Sequence, residues 1–152
     1  MARAGNSITI VVQVDSLSAD VQRLKDVAAA TLRRFKAADA ATTITVVGDA
    51  AMRSIHYQFL KKRSTTDVVS FDLTDECERR RVFEVAVNAE YAARQARKRG
   101  HSTEAELALY IVHGLLHHLG FDDGSVEQAE KMHRTEDAIL TKLGYGSVYF
   151  EK

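Results

Sequence analysis

The residues best suited to chemistry are two histidines four positions apart, His113 and His117, followed by the carboxylate of Asp123. On a helix, side chains at i and i+4 leave the same face with Cβ atoms roughly 5–6 Å apart, which lets two imidazoles bind one metal ion. Gly120 is predicted to end that helix, so that the chain folds back and Asp123 becomes the third ligand. Two histidines and one carboxylate leave a position open for water, as in catalytic zinc sites. The sequence therefore predicts one divalent ion per chain, Zn²⁺ or a harder ion, and a water able to attack a phosphoryl or acyl centre.

Histidines at this spacing also occur without a metal, so the surrounding residues matter. The pair lies in an otherwise apolar stretch, where unpaired imidazoles would lose hydration without compensation. Asp122 stands beside Asp123 and suits a structural role at the turn. His118 points about 100° away from His117 on a helix and is expected to pack or to support the ligands. The remaining histidines are expected on the surface: His56, His101 and His133.

The residue after the first histidine narrows the class of enzyme. In H-E-x-x-H metallopeptidases that residue is the glutamate that acts as general base, whereas here it is Gly114. A peptidase mechanism therefore lacks its base at the expected place, and the sequence specifies no other. Two histidines and a carboxylate are also typical of mononuclear iron oxygenases. Those sites usually lie on β-barrels, whereas this pair lies on one helix, which disfavours the oxygenase class.

Composition and charge limit the possible partners. The chain has 152 residues, 45% apolar and 28% charged, which predicts one globular domain over residues 1–152. Its 21 basic and 21 acidic residues cancel, so any nucleic-acid binding must depend on a local patch. Cys77 is the only cysteine, so the chain forms no internal disulfide, which fits a reducing compartment. No apolar run approaches the roughly 20 residues of a membrane span. Residues 1–6 lack the apolar region of a secretory signal. We therefore expect a cytoplasmic protein that does not bind membranes.

Hydrophobic periodicity predicts an α+β fold, with a small, mixed and mostly sequential β-sheet of about four strands packed with about five helices. Strands are expected at residues 8–14, 42–47, 68–71 and 82–87. Five helices are predicted. The first starts at Ser18 with Asp20 in its first turn, the second is capped by Asp49, and the third runs from Ala89 to a stop at Gly100. Capping boxes start the last two, Thr103–Glu106 and Ser125–Gln128. The helix that carries His113 is apolar on nearly every side, which predicts a buried, central, metal-bearing helix of the zincin-like kind.

Residues 113–123 resemble the H-G-x-L-H-x-x-G-(Y/F)-D-H signature of the YbeY family of bacterial endoribonucleases, the rRNA maturation factors. The resemblance covers most of the chain, since residues 66–71 (TDVVSF) are similar to the family's T-D-V-(L/I)-S-F strand and residues 83–87 (FEVAV) to a second family strand. It implies a metal-dependent, single-strand-selective endoribonuclease in 16S rRNA maturation and ribosome quality control. Asp123 stands where the family has its third metal-binding histidine, so we expect a site that still binds metal, Zn²⁺ or another divalent ion, with its preference shifted towards harder ions.

The resemblance also indicates how RNA is bound. Many family members have an arginine seven residues before the T-D-V aspartate, and that position is Leu60 here. Lys61, Lys62 and Arg63 follow at once and precede the strand that the resemblance places beside the metal, so we expect them to bind phosphates, with Ser70 as a hydroxyl donor. The arginines at positions 79–81 form a second basic run. Both runs are also typical of a solvated loop or helix face.

Two alternatives remain beside an endoribonuclease that acts on single-stranded RNA, rRNA and the ribosome. Since Leu60 and Asp123 both alter the family's site, the chain is compatible with a ribosome-associated factor whose metal is mainly structural. It is also compatible with a metallohydrolase of another substrate class.

Overall fold

A computed structural model describes residues 5–37, 39–77 and 80–148. Within these residues the chain forms four strands and five helices, which confirms the predicted α+β fold. In chain order the elements are β1 (Ser7–Val12), α1 (Val21–Arg34), β2 (Ala40–Val47), α2 (Asp49–Leu60), β3 (Val68–Asp72), β4 (Arg81–Asn88), α3 (Ala89–Arg99), α4 (Thr103–His118) and α5 (Val126–Lys142).

The sheet is mixed, with the strand order β1-β2-β4-β3. β1, β2 and β4 are parallel, and β3 pairs antiparallel with β4, with Ser70 opposite Val85. The expected sequential order is therefore wrong for the last two strands. A parallel pair needs a long crossover connection, and here α2 and β3 both lie in the connection from β2 to β4. As a result β3 is an edge strand.

Alternation along the strands sends apolar side chains to both faces of the sheet. One face carries Ile44, Val46, Phe83 and Val85 and packs in the large core with residues of α1, α3, α4 and α5. The other face contributes Val47, Val69 and Ala86 to a small cluster with Met52 of α2. Among the described residues, none of the helices is long and apolar enough to cross a membrane.

α4 is the central helix, and most of its residues from Ala105 to Leu116 are buried. Its apolar surface thus meets the sheet and the neighbouring helices on nearly all sides, as its sequence predicted. α3 ends at Gly100, whose φ of +78° is left-handed, and Ser125 caps α5 by accepting a hydrogen bond from the Gln128 amide. These two boundaries are confirmed.

Two predicted helix starts are displaced. α1 is capped by Asp20, whose carboxylate accepts hydrogen bonds from the amides of Gln22 and Arg23, and not by Ser18. α4 is capped by Ser102, which accepts from the Ala105 amide, so Thr103 is not the cap. In both cases the side chain that reaches the free amides decides the boundary.

The helix start at Asp49 was also predicted incorrectly. Gly48 is the N-cap of α2, and Asp49 is its first residue. The Asp49 carboxylate instead binds other segments: it accepts from Thr65 and the buried Asn88 and pairs with Arg94 at 2.7 Å. Asp49 therefore ties the loop that leads into β3 to the start of α2 and to α3.

Candidate metal centre

α4 presents His113 and His117 on one face, and their Nε2 atoms lie 3.2 Å apart. The two rings are nearly perpendicular, at 84°, with centroids 4.8 Å apart. The helical spacing therefore brings both imidazoles to one point, as the sequence predicted.

Asp123 reaches the same point from the turn after α4. Gly120 has a φ of +100°, a left-handed conformation that reverses the chain at the end of the helix. Asp122 accepts a hydrogen bond from the Asp123 amide at 2.7 Å, which supports the structural role expected of it. Oδ2 of Asp123 lies 3.9 Å from Nε2 of His113 and 3.9 Å from Nε2 of His117.

The spacing of these three atoms suits a tetrahedral ion. Two ligand atoms about 2.0–2.1 Å from a tetrahedral zinc ion lie about 3.3 Å from each other. The two Nε2 atoms are within about 0.1 Å of that value. The Asp123 oxygen needs to move inward by about half an ångström, which an exposed side chain on a turn can do. Two imidazoles and one carboxylate are also a donor set that zinc accepts.

Behind the ligands, Glu136 of α5 binds the other nitrogen of His113. Its Oε2 lies 2.6 Å from Nδ1 of His113, and its side chain is fully buried. A carboxylate there accepts a hydrogen bond from Nδ1–H and leaves Nε2 free to face a metal, the usual support of a metal-binding histidine. Glu136 was not among the site residues predicted from the sequence. The sequence does contain one indication of its role: Glu136 lies four residues from both Met132 and Leu140, which places it on the buried face of α5.

The prediction that the other histidines lie on the surface is wrong. His133 donates from Nδ1 to Oε1 of Glu136 at 2.7 Å and stacks on His113, with ring centroids 6.1 Å apart. His101 is bonded to the buried carboxylate of Glu106, and His56 is buried against the carbonyl of Ser64. Each imidazole is held by a partner three to eight positions away, namely Glu136, Glu106 or the Ser64 carbonyl, and this contact keeps the ring out of solvent.

The pKa values of the two ligand histidines shift in opposite directions. Burial and the neighbouring His113 lower the pKa of His117, which keeps its imidazole neutral at neutral pH, the form that binds a metal. Burial also opposes a charge on His113, but the hydrogen-bonded Glu136 carboxylate outweighs it and raises the pKa of His113.

Gly114 stands where the peptidase motif has its glutamate base, and in this fold it has a packing role. A Cβ atom at this position would lie 3.1 Å from Cγ1 of Val85, 3.3 Å from Cγ2 of Val68 and 3.4 Å from Cβ of Ser70. Glycine therefore lets α4 approach β3 and β4 closely, directly beside the first ligand. The same contact places Ser70 on the side of β3 that faces α4.

The predicted phosphate-binding residues lie together in the exposed loop between α2 and β3. Lys61 ends α2 in a left-handed conformation, with φ of +57°. The Lys61 ammonium and the Arg63 guanidinium lie 5.7 and 5.3 Å from the centroid of the Tyr57 ring, while Lys62 is exposed. Lys61 and Arg63 thus contact the Tyr57 ring of the preceding helix.

The second basic run has structural contacts. Arg80 pairs with Asp39 at 3.2 Å, and Arg81 donates to the carbonyl of His118 at 2.6 Å while lying over the Phe83 ring. Arg79 lies outside the described residues. The contacts of Arg80 and Arg81 favour the structural interpretation of this run.

The chain is similar to proteins of one family. A family model described as Endoribonuclease YbeY matches residues 7–144. The Endoribonuclease YbeY of Carboxydothermus hydrogenoformans is 36% identical over 102 residues, 67% of this chain and 71% of that protein. The protein of the same name from Pseudomonas putida is 33% identical over 146 residues, 88% and 93% of the two chains. The solution structure of TM1509 from Thermotoga maritima shares the fold, with a TM-score of 0.60, 22% identity and coverage of 90% and 91%.

Proposed function

The chain belongs to the YbeY family, and on that premise we propose that it is a metal-dependent endoribonuclease that cuts single-stranded RNA in 16S rRNA maturation and ribosome quality control. The proposed metal ligands are His113, His117 and Asp123, and the proposed ion is Zn²⁺. The observation that carries the proposal is the convergence of these three side chains, whose ligand atoms all lie within 4.8 Å of one another.

The surroundings of the cluster support a catalytic site over a structural one. The side chains of His117 and Asp123 are 32% and 45% exposed, so a substrate phosphate can approach the ligands from solvent. Structural zinc sites, in contrast, close all four positions with protein side chains. This exposure favours the endoribonuclease over a ribosome-associated factor with a mainly structural metal.

Each residue of the site has a defined task in this proposal. His113 and His117 direct Nε2 at the ion, and Glu136 holds the Nδ1 proton of His113 so that this tautomer persists. Asp123 adds a negative charge to the ligand set. Ser70 lies on the α4 side of β3, from which its hydroxyl donates to a phosphate oxygen. When bound, the ion supplies Lewis-acid polarisation of a phosphodiester and acidifies a water.

In this proposal the loop between α2 and β3 binds the phosphates of the substrate. Lys61, Lys62 and Arg63 concentrate positive charge in a chain whose total charge is zero. Leu60, where many relatives of this family have an arginine, brings no charge of its own. The three following basic residues therefore take over the contact with RNA in this proposal.

A cleavage assay with purified protein tests the function. Labelled single-stranded RNA, the same RNA in a duplex, and single-stranded DNA are incubated with the wild type, with and without a chelator. The expected result is internal cleavage of the single-stranded RNA alone, lost with chelator and restored by Zn²⁺ or Mn²⁺. The Asp123→Ala variant should not cut, whereas Glu127→Ala, which removes an exposed carboxylate nearby, should. A metal-loaded protein that binds RNA but never cuts it would favour the structural-metal alternative.

A further inference from the structure

The aromatic residues near the basic loop are exposed. Among the described residues, the large apolar side chains that are at least about one third exposed include two aromatic ones, Tyr57 and Phe59, and both lie on α2. Phe59 is 56% exposed, the larger value of the two. An exposed phenyl ring is costly in water, and exposed rings beside positive charge are typical of proteins that bind single-stranded nucleic acid.

Phe59 is held by a second ring. Its centroid lies 5.0 Å from that of Phe71 in β3, with the rings tilted at 57°. Phe71 packs in turn on the small cluster of Val47, Met52, Val69 and Ala86. Phe59 is therefore anchored on one side and open to solvent on the other, which orients its free face.

β3 connects this ring pair to the metal centre. Consecutive residues of a strand face opposite sides of the sheet, so Ser70 faces α4 while Phe71 faces α2. β3 is also an edge strand, so a ligand can pass from one face of the sheet to the other around β3 alone. A chain that crosses the free edge of β3 therefore passes from Phe59 on the α2 side to Ser70 on the α4 side, where Ser70 packs beside Gly114, the neighbour of the ligand His113.

We propose that Phe59, backed by Phe71, is a stacking surface for one unpaired base of the RNA strand that is cut at the metal centre. This inference rests on the proposed function and deepens it. Lys61, Lys62 and Arg63 follow Phe59 and Leu60 at once, so phosphates adjacent to the stacked base lie within reach of their charges. A base inside a duplex has both faces covered by its neighbours, so this contact selects single strands.

The charge beside the ring pair favours RNA over a protein partner. The apolar surface continues to Leu60 and Leu73, which are 49% and 52% exposed, and an edge strand can also pair with another protein. The backbone hydrogen bonds by which a protein strand would add at β3, however, do not use the three adjacent cations. RNA uses the ring and the cations together, since each nucleotide carries one base and one phosphate.

The test compares intact and abasic RNA. Binding of a short single-stranded oligoadenylate is measured by fluorescence anisotropy, in chelator to prevent cleavage, for the wild type, Phe59→Leu and Phe59→Trp. The same measurements use an oligonucleotide of equal length whose sugars carry no bases. Val12→Ala, which shortens an exposed side chain on β1 at the opposite edge of the sheet, is the control. Thermal unfolding checks that each variant is folded.

Phe59→Leu should bind oligoadenylate roughly 5- to 150-fold more weakly than the wild type, the range expected for one stacked base. Phe59→Trp and Val12→Ala should bind like the wild type. On abasic RNA, Phe59→Leu and the wild type should bind equally, because no base remains to stack. The salt dependence of binding should not change in Phe59→Leu, because the phenyl ring binds no phosphate.

Three outcomes overturn the inference in distinct ways. Equal binding of intact RNA by Phe59→Leu and the wild type means that the ring pair does not contact RNA, and a protein-docking role becomes the better explanation of the exposed patch. An equal loss of affinity on intact and abasic RNA means that Phe59 acts on the backbone rather than by stacking. A wild type that neither binds nor cuts any RNA overturns the proposed function itself, and the inference with it.

Discussion

Oε2 of Glu136 lies 2.6 Å from Nδ1 of His113, and the same carboxylate accepts from His133 at 2.7 Å through Oε1. This buried carboxylate therefore orients His113 through the atom that the metal does not use. Because the support of a ligand histidine contributes to metal binding, replacing it weakens the site without removing a ligand.

We expect Glu136→Gln to lower the affinity for zinc about 10- to 100-fold. A glutamine accepts only through its amide oxygen and carries no charge to hold the Nδ1 proton. Competition with a zinc-sensitive dye measures the affinity, and Glu130→Gln, an exposed position on the same helix, is the control. An unchanged zinc affinity in a folded Glu136→Gln protein would show that the contact is structural only.

Asp123 is expected to set the metal preference. Asp123→Ala should lose metal and cleavage while keeping most of the affinity for RNA, because the basic loop is untouched. Asp123→His should restore a set of three histidines and shift the preference from Mn²⁺ towards Zn²⁺, since imidazole is a softer ligand than carboxylate. Metal analysis after dialysis and the thermal shift on adding each ion measure both effects. A Zn²⁺-to-Mn²⁺ ratio that is the same for wild type and Asp123→His would contradict the assignment of this ligand.

The basic loop should control affinity for RNA and its dependence on salt. Replacing Lys61, Lys62 and Arg63 together by alanine should weaken binding and reduce the slope of log K against log salt by about 0.7 for each phosphate of the single strand that the variant no longer binds. The metal content should stay the same. Titration of RNA at several salt concentrations measures the slope. If the triple variant binds and cuts like the wild type, the loop is a solvated surface and other basic residues hold the substrate.

Gly114→Ala tests the close contact between α4 and β3. Alanine favours a helix over glycine by up to about 1 kcal/mol, but its Cβ would press on three packed side chains, and overpacking costs about 1–3 kcal/mol. We expect a net loss of about 1 kcal/mol in the free energy of unfolding, measured in urea. A more stable variant would show that β3 yields easily and that the helix propensity decides the sign.

Asp49 predicts an acid-sensitive contribution to stability. Arg94, together with Asn88 and Thr65, holds the pKa of the Asp49 carboxyl well below its usual range. In an unfolded chain this carboxyl takes up its proton near pH 3.9, so the folded state gains stability above that pH and loses it as the pH falls further. The deficit of Asp49→Asn relative to the wild type should therefore be largest near pH 7 and shrink towards pH 3.

Urea unfolding of the chelated protein between pH 7 and pH 3 measures this difference without interference from metal loss. Asp15→Asn, at an exposed carboxylate, serves as the control and should follow the wild type across the range. A deficit of Asp49→Asn that is constant with pH would mean that Asp49 acts through packing and not through its charge.

The sequence by itself determined the features that depend on neighbours along the chain. The i, i+4 spacing of His113 and His117 needs only a helix to bring both rings to one side, and the left-handed turn at Gly120 needs only a glycine. The number and type of elements also followed from periodicity, because helices and strands bury their apolar residues at different intervals.

Only the tertiary structure decided which distant residues meet. Glu136 lies 23 positions from His113 in the sequence, and its partner is chosen by the packing of α5 on α4. Likewise, Phe59 of α2 meets Phe71 of β3 because α2 packs on the face of the sheet that carries Val47, Val69 and Ala86. The spacing of side chains within one helix or strand is set by backbone geometry. Contacts between elements depend instead on how whole faces fit together, and the periodicity of one element does not say which element it packs against.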